Sequence, residues 1–452
     1  MKGLSEEPSY ILELLEEGVT IDDVIDGYIS EHALVERSAF VVGDLGALMR
    51  QHVRWQTLAP QLQPYYPVKC NSSPAVIEVL ASLGLGFVCA NKCWSTVYPQ
   101  KTSSCLGFCK QLAHIKYAAK NNVRHLVCDN QGRALQDCPG AQQRKLTTEA
   151  HAAETSVAFG CSLKSCRYLL ELARELGVDV VGVTFHIPPS CPDLQQAYSH
   201  ALSDARCVFD MGAELGFSMN ILDIGGGITG SDFQLQQVEC AVSPLLDAYF
   251  PPLSGVQVLA QPGTFYVASA FSLAVNVIGK KILNQQWDSL AQGELSTTDA
   301  DFQYYINEGV YGSFRRKLLG ATIPAPSVHK VISKRWVNGC LLALCSGHSA
   351  LRSWCIPAAC GGRRWTNWMR WWSTACCLSS VSGDWLLFSN MGANGLEELT
   401  CLASEPQLPV YNAIYTADWY GMQEAGVALD GTMKNFSLIN HSAVFSPPSK
   451  SL

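Results

Sequence analysis

Four short stretches place residues with chemical potential directly after apolar runs. Tyr65-Tyr66-Pro67-Val68 leads into Lys69, and Val180–Phe185 leads into His186. Ile221–Ile224, with Asp223 inside it, leads into Gly225-Gly226-Gly227, and Val256–Ala260 leads into Gln261-Pro262-Gly263. A lysine amine so placed can hold an aldehyde as a Schiff base. Three successive glycines offer backbone N–H groups that can cradle a phosphate. Each feature also has an ordinary structural reading: a solvated strand end, a satisfied histidine, a tight turn. Their shared placement joins them, because barrel enzymes gather their working groups at the carboxyl ends of strands.

The elements that must position these groups alternate along the chain. Apolar, β-rich runs at Ala39–Val42, Tyr65–Val68, Leu85–Val88, His125–Val127, Val180–Phe185, Ile221–Ile224 and Val256–Ala260 read as strands. Helical stretches such as Ser73–Leu83, Gln111–Lys120 and Lys164–Leu176 lie between them. Strand then helix, repeated, predicts a parallel sheet, and the count favours an α/β fold of the (β/α)8 barrel type over residues 37–268. Phe271–Lys281, Phe302–Ile306 and Gly383–Phe388 read as strands without intervening helices. Residues from 269 onward therefore read as a mostly-β second domain.

Three tracts depart from the pattern. Residues 93–108, CWSTVYPQKTSSCLGF, fall where a barrel helix is due but show no helical period and contain Pro99. Residues 138–158 contain no convincing apolar strand, so the barrel is expected to be imperfect at both places. Residues 336–382 contain no Asp or Glu, yet hold six of the eleven tryptophans and six of the nineteen cysteines. Such a composition suits neither a solvated loop nor an amphipathic helix. The first and last tracts read as if translated out of frame.

The chain has 452 residues, 48% of them hydrophobic and 16% charged, enough for a large core. A net charge of -7 argues against a nucleic-acid binder. The first residues, MKGLSEEPSY, carry acids where a signal peptide needs a basic end, and no apolar run is long enough to cross a bilayer. A protein of the cytoplasm, with the nucleus also open to it, is expected, with no membrane partner. The cysteines lack C-x-x-C units and zinc-like spacing, so reduced thiols and no metal site are expected.

The stretches PYYPVKCNSSPAV, GVTFHI, SDARCVFDMGAELGFSMNILDIGGG, QPGTFYVASAFSLAVN and YYINEGVYGSF strongly resemble the eukaryotic ornithine decarboxylase family. MKGL, HALSDARCVFDMGAELGFSMN and DWYGMQEAG…MKNF resemble its catalytically inactive antizyme-inhibitor branch. The resemblance implies an alanine racemase-like (β/α)8 barrel that binds pyridoxal phosphate, plus a mostly C-terminal β-sandwich domain made of residues 1–36 and 269–452. It assigns Lys69 to the Schiff base, His186 to stacking on the cofactor ring, and Gly225, Gly226 and Gly227 to the phosphate.

It also exposes departures. Gln261 stands where active members carry the carboxylate that faces the pyridine nitrogen, and Thr264 stands where they carry a phosphate-binding arginine. Val88 replaces an acid, and Pro188-Pro189-Ser190 replaces a loop of small residues. Asn394 replaces a tyrosine, Gly320 aligns with the acid for the distal substrate amine, and a cysteine–aspartate pair has no counterpart within 336–382. Losing one preorganised electrostatic contact costs roughly 10²–10³ in rate. The resemblance thus implies a degenerate, vestigial cofactor site with no bound cofactor, and a monomer where active members are dimers.

The partner it implies is antizyme. The matching surface is residues 110–138, which carry five Lys/Arg against two Asp, with Lys116, Tyr117, Lys120, Arg124 and Arg133 as the candidate contacts. Two other readings stay open: an active pyridoxal-phosphate-dependent amino-acid decarboxylase, and a non-functional product of a damaged gene.

Overall fold

The computed structural model describes residues 10–34, 37–89, 160–189, 191–282, 302–309, 312–314, 324–329, 384–393, 408–426 and 432–435, the strand segments 103–105, 125–128, 145–149, 353–355 and 370–371, and positions 113, 116, 118, 120, 123 and 429. The chain divides into two units. One comprises Met1–Gly46, Ser269–Tyr420 and Asp430–Leu452, and the other comprises Ala47–Ala268 and Gly421–Leu429.

In chain order the strands are β1 (Ile11–Leu15), β2 (Phe40–Asp44), β3 (Gln63–Pro67), β4 (Gly86–Cys89), β5 (Ser103–Cys105), β6 (His125–Cys128), β7 (Lys145–Glu149), β8 (Asp179–Thr184), β9 (Ile221–Asp223) and β10 (Gln257–Ala260). They continue with β11 (Phe271–Ile282), β12 (Phe302–Ile306), β13 (Ser327–His329), β14 (Ser353–Cys355), β15 (Arg370–Trp371), β16 (Trp385–Phe388), β17 (Val410–Tyr415) and β18 (Thr432–Asn435).

Strands β3 to β10 close a parallel barrel in the order β10-β3-β4-β5-β6-β7-β8-β9. Two strands lie within the tracts where the sequence shows no clear element. Lys145–Glu149, with only one aliphatic residue, pairs with β6 and β8. Ser103–Cys105 pairs with β4 and β6. Both strands are held by ladders on either side, so backbone pairing supplies what their side chains do not advertise. Inside the barrel, Tyr65, Val88, Val181, Ile221 and Leu259 form an apolar cluster. Gly182 of β8 lies so close to β9 that a Cβ there would come within 1.9 Å of the Ile221 carbonyl oxygen.

The barrel helices follow from apolar spacing. Leu163–Glu175 buries Cys166, Leu169, Leu170 and Ala173, at intervals of three and four that share one face. Leu194–Glu214 buries Tyr198, Ala201, Leu202, Ala205, Val208 and Phe209. Its start is fixed by the Asp193 side chain, which accepts from the Gln196 N–H at 2.9 Å.

The other unit is a ten-stranded sheet whose path runs β15-β14-β12-β11-β2-β17-β1-β18, with β16 paired to β11 and β13 paired to β16. The run Ala39–Val42, read as a barrel strand, belongs here instead: β2 pairs antiparallel with β11 and parallel with β17. It is buried along most of its length, so its continuous apolar character does not reveal which sheet it joins. Within the tract 336–382, β14 and β15 extend the sheet from β12. Helix Ile21–Leu34 covers the sheet through Val24, Ile25, Tyr28 and Ile29, which pack with Phe40, Val42 and Trp385. Among the described residues no helix is long and apolar enough to cross a membrane.

Trp385 is fully buried, its ring centroid 5.6 Å from that of Phe40, and its indole N–H has no acceptor among the described residues. Trp385→Ala is expected to cost about 3–5 kcal/mol. Trp385→Phe should cost clearly less, because it keeps most of the packing and removes the orphaned donor. Urea denaturation of the two variants compares them, and equal losses would contradict the packing argument.

Candidate functional site

Each predicted strand end is present at the mouth of the barrel. β3 runs into a single 3₁₀ turn, Val68–Cys70, which leaves Lys69 exposed while Val68 is buried. That turn is braced from behind: the Tyr66 hydroxyl donates to the Asn71 carbonyl at 2.8 Å, and the Asn71 side chain accepts from the Ser73 N–H at 3.0 Å. It is also pressed against the end of β10. A Cβ on Gly263 would lie 2.3 Å from Cys70 Sγ and 2.6 Å from Pro67 Cγ. β8 ends at Thr184, Phe185 turns inward, and His186 stands exposed.

The centre of the mouth is Asp223, buried at the end of β9. Its Oδ1 accepts from the Gly225 N–H at 2.9 Å, and its Oδ2 accepts from the Gln261 side-chain amide at 2.7 Å. The Gln261 backbone N–H donates in turn to the Gly225 carbonyl at 2.7 Å. Burial raises the Asp223 carboxyl to about 6, opposed by donors at Gly225, Gln261 and Thr184 that favour its charged form. Sequence reading gave Asp223 no role. The available signal was an acid inside an apolar strand, directly before three glycines.

The glycine loop fits only as glycine. Gly225 and Gly227 have φ of +73° and +86°, a region unfavourable to L side chains. A Cβ on either would come within 2.2 Å of the Phe185 or 2.0 Å of the Ile187 carbonyl oxygen. The Gly226 N–H donates to His186 Nδ1 at 3.0 Å. His186 and the loop are thus brought together, as predicted, but through bonds to each other.

These contacts test the fit of pyridoxal phosphate, which the family resemblance implies. Two of the three glycine N–H groups are engaged, by Asp223 and by His186. Pro188 and Pro189 have no N–H to give, and Thr264, half-buried in the turn Gly263–Val267, brings no charge. At position 261, where the resemblance implies the partner of the ring nitrogen, the amide is committed to Asp223. Val88 is packed in the apolar barrel cluster. The residues present fit the cofactor poorly. Ser190, Gly320 and Asn394 lie outside the described residues.

Of the charged surface, Lys116 and Lys120 are helical and exposed, while Ala118 between them is buried and its carbonyl accepts from the Val123 N–H at 2.9 Å. The two lysines therefore share an outward face, and β6 follows. Tyr117, Arg124 and Arg133 lie outside the described residues. Among the described residues no group of three or more His, Cys, Asp or Glu side chains gathers as a metal site.

A family profile described as pyridoxal-dependent decarboxylase, pyridoxal binding domain, matches residues 45–268. The chain is 40% identical to antizyme inhibitor 1 of Pongo abelii across 97% of its own length and 96% of that protein's. It is 37% identical to ornithine decarboxylase of Mus musculus, covering 84% of this chain and 82% of that one. In three dimensions it resembles the arginine decarboxylase of Paramecium bursaria Chlorella virus, with a TM-score of 0.71 at 19% identity, over 87% of this chain and all of that one. At that identity the structural likeness speaks to fold alone.

The buried carboxyl sets a pH dependence. Its folded value, about 6, lies above its unfolded value, so the folded state binds the proton more tightly between the two. Asp223 favours the fold fully below about pH 4, and that contribution, of order 3 kcal/mol, is lost as pH rises through 6. Asp223→Asn is expected to flatten this part of the stability profile. Urea midpoints of both proteins at pH 4.5 and pH 7 measure it, and parallel profiles would refute it.

Proposed function

The chain belongs to the pyridoxal-dependent decarboxylase family that includes the ornithine decarboxylases and antizyme inhibitors, and from that premise we propose that it is a non-catalytic member that binds antizyme. By occupying antizyme it releases active ornithine decarboxylase and so raises polyamine synthesis and uptake. The observation that carries this reading is the end-to-end similarity to antizyme inhibitor 1.

The mouth of the barrel supports the non-catalytic half. Decarboxylation on pyridoxal phosphate relies on the protonated ring as an electron sink, which a carboxylate beside the ring nitrogen sustains. An amide at position 261, already donating to Asp223, supplies no such charge. The engaged glycine N–H groups weaken anion binding further. Lys69 and His186 are then vestiges of a working site, and the protein acts without the cofactor.

The outward pair Lys116 and Lys120 supports the binding half. Within a chain of net charge -7, a basic helix face steers and orients an acidic partner. The protein acts as a monomer, in the cytoplasm and the nucleus.

The purified protein is expected to show no aldimine absorbance with pyridoxal phosphate and no CO₂ release from ornithine. Robust turnover would overturn the non-catalytic reading. It should capture antizyme in a pull-down and restore ornithine decarboxylase activity in an antizyme-inhibited assay. Lys116→Glu with Lys120→Glu should weaken antizyme binding about tenfold or more, a loss of about 1.4 kcal/mol. Unchanged affinity by titration calorimetry would reject this surface.

A further inference from the structure

Two thiols meet at the start of helix Leu163–Glu175. Cys161 Sγ and Cys166 Sγ lie 3.4 Å apart. Cys161, directly before the Ser162 cap, is partly exposed, and Cys166, in the first turn, is fully buried. The cap fixes the chain between them: the Ser165 and Cys166 N–H groups both donate to the Ser162 carbonyl, at 2.8 and 3.1 Å. A disulfide holds its sulfurs about 2.05 Å apart, so the two need close by only about 1.4 Å. The helix start favours a thiolate there. The contact with Cys161 lowers the Cys166 thiol, against burial and the charge of Asp204, which raise it.

We propose that Cys161 and Cys166 form an oxidisable dithiol, in which a peroxide attacks at Cys161 and Cys166 closes the disulfide. In the first step the Cys161 thiolate attacks a peroxide oxygen. The O–O bond breaks, a sulfenic acid remains, and the departing hydroxide takes up the proton released on ionising Cys161 to leave as water. In the second, the Cys166 thiolate attacks the Cys161 sulfur, the S–O bond breaks, and the departing hydroxide takes up the proton released by Cys166 to leave as a second water. Two electrons pass from the two thiols to the peroxide, and no other reactant is needed. The exposure difference sets the order, since the oxidant reaches Cys161 while Cys166 waits buried beside it. The bond would staple the chain entering the helix to its first turn.

The full-length protein, treated with a limiting dose of hydrogen peroxide and then alkylated under denaturing conditions, tests this. Trypsin cuts after Lys164, so the disulfide appears in the mass spectrum as a cross-link between the peptide ending at Lys164 and Ser165-Cys166-Arg167. Both thiols should lose alkylation together and regain it with dithiothreitol. Cys161→Ser should leave Cys166 alkylatable after peroxide, and Cys166→Ala should leave Cys161 as a dimedone-reactive sulfenic acid. Circular dichroism checks that both variants fold, and the cross-link in the unmodified protein decides the matter without them. Two alkylatable thiols after peroxide, or Cys161 driven to sulfinic acid beside a reduced Cys166, would overturn the proposal.

Discussion

The Asp223 carboxylate holds together segments of backbone that would otherwise end separately at the barrel mouth. Through Gly225 it fixes the turn after β9, and through the Gln261 side chain it fixes the end of β10. The Thr184 side chain donates to the same carboxyl, which adds the end of β8. A buried carboxyl is costly unless its oxygens are satisfied. Here both oxygens are, so the same group that is penalised by burial becomes the point to which neighbouring strands are tied. Much of the local sequence follows: glycine at 225 and 227 because the loop runs against the Phe185 and Ile187 backbone just after β8, and an amide at 261 because Asp223 needs a donor.

That last requirement links structure to function. The resemblance places a carboxylate at 261 in active relatives. In this chain's geometry such a group would face Asp223 at hydrogen-bonding distance, and two like charges would meet in a buried site. An amide removes the repulsion and adds a donor. With an amide at 261, the mouth of the barrel satisfies its own polar groups. His186 behaves likewise, since its Nδ1 is taken up by Gly226.

Where the physical signal was strong, the fold could be read directly. Phe302–Ile306 has the same bounds in the structure as in the sequence, and helix Leu163–Glu175 is offset by one residue from its reading. Phe40–Asp44 was legible as a strand but not as to its sheet, because a buried run lacks the alternation that would identify its partners. Lys145–Glu149 was not legible at all: its place is given by neighbours on both sides, and pairing of that kind is invisible in a single segment. The site divides in the same way. Residue type and strand placement located Lys69, His186 and the three glycines. The bonds that engage those glycines involve partners as far as forty residues away, and only the folded chain reveals them.

The ten-stranded sheet takes strands from both ends of the chain. β1 pairs with β17 and β18, some four hundred positions later, and β2 pairs with β11 and β17. On the ribosome these first strands emerge long before their neighbours exist. The barrel strands, contained within residues 63–260, meet all their partners earlier. Synthesis therefore favours closing the barrel first, while β1 waits as unpaired β-forming chain until β17 and β18 are made. In that interval its open edges are templates for stray pairing, and a nascent-chain chaperone has most to do there.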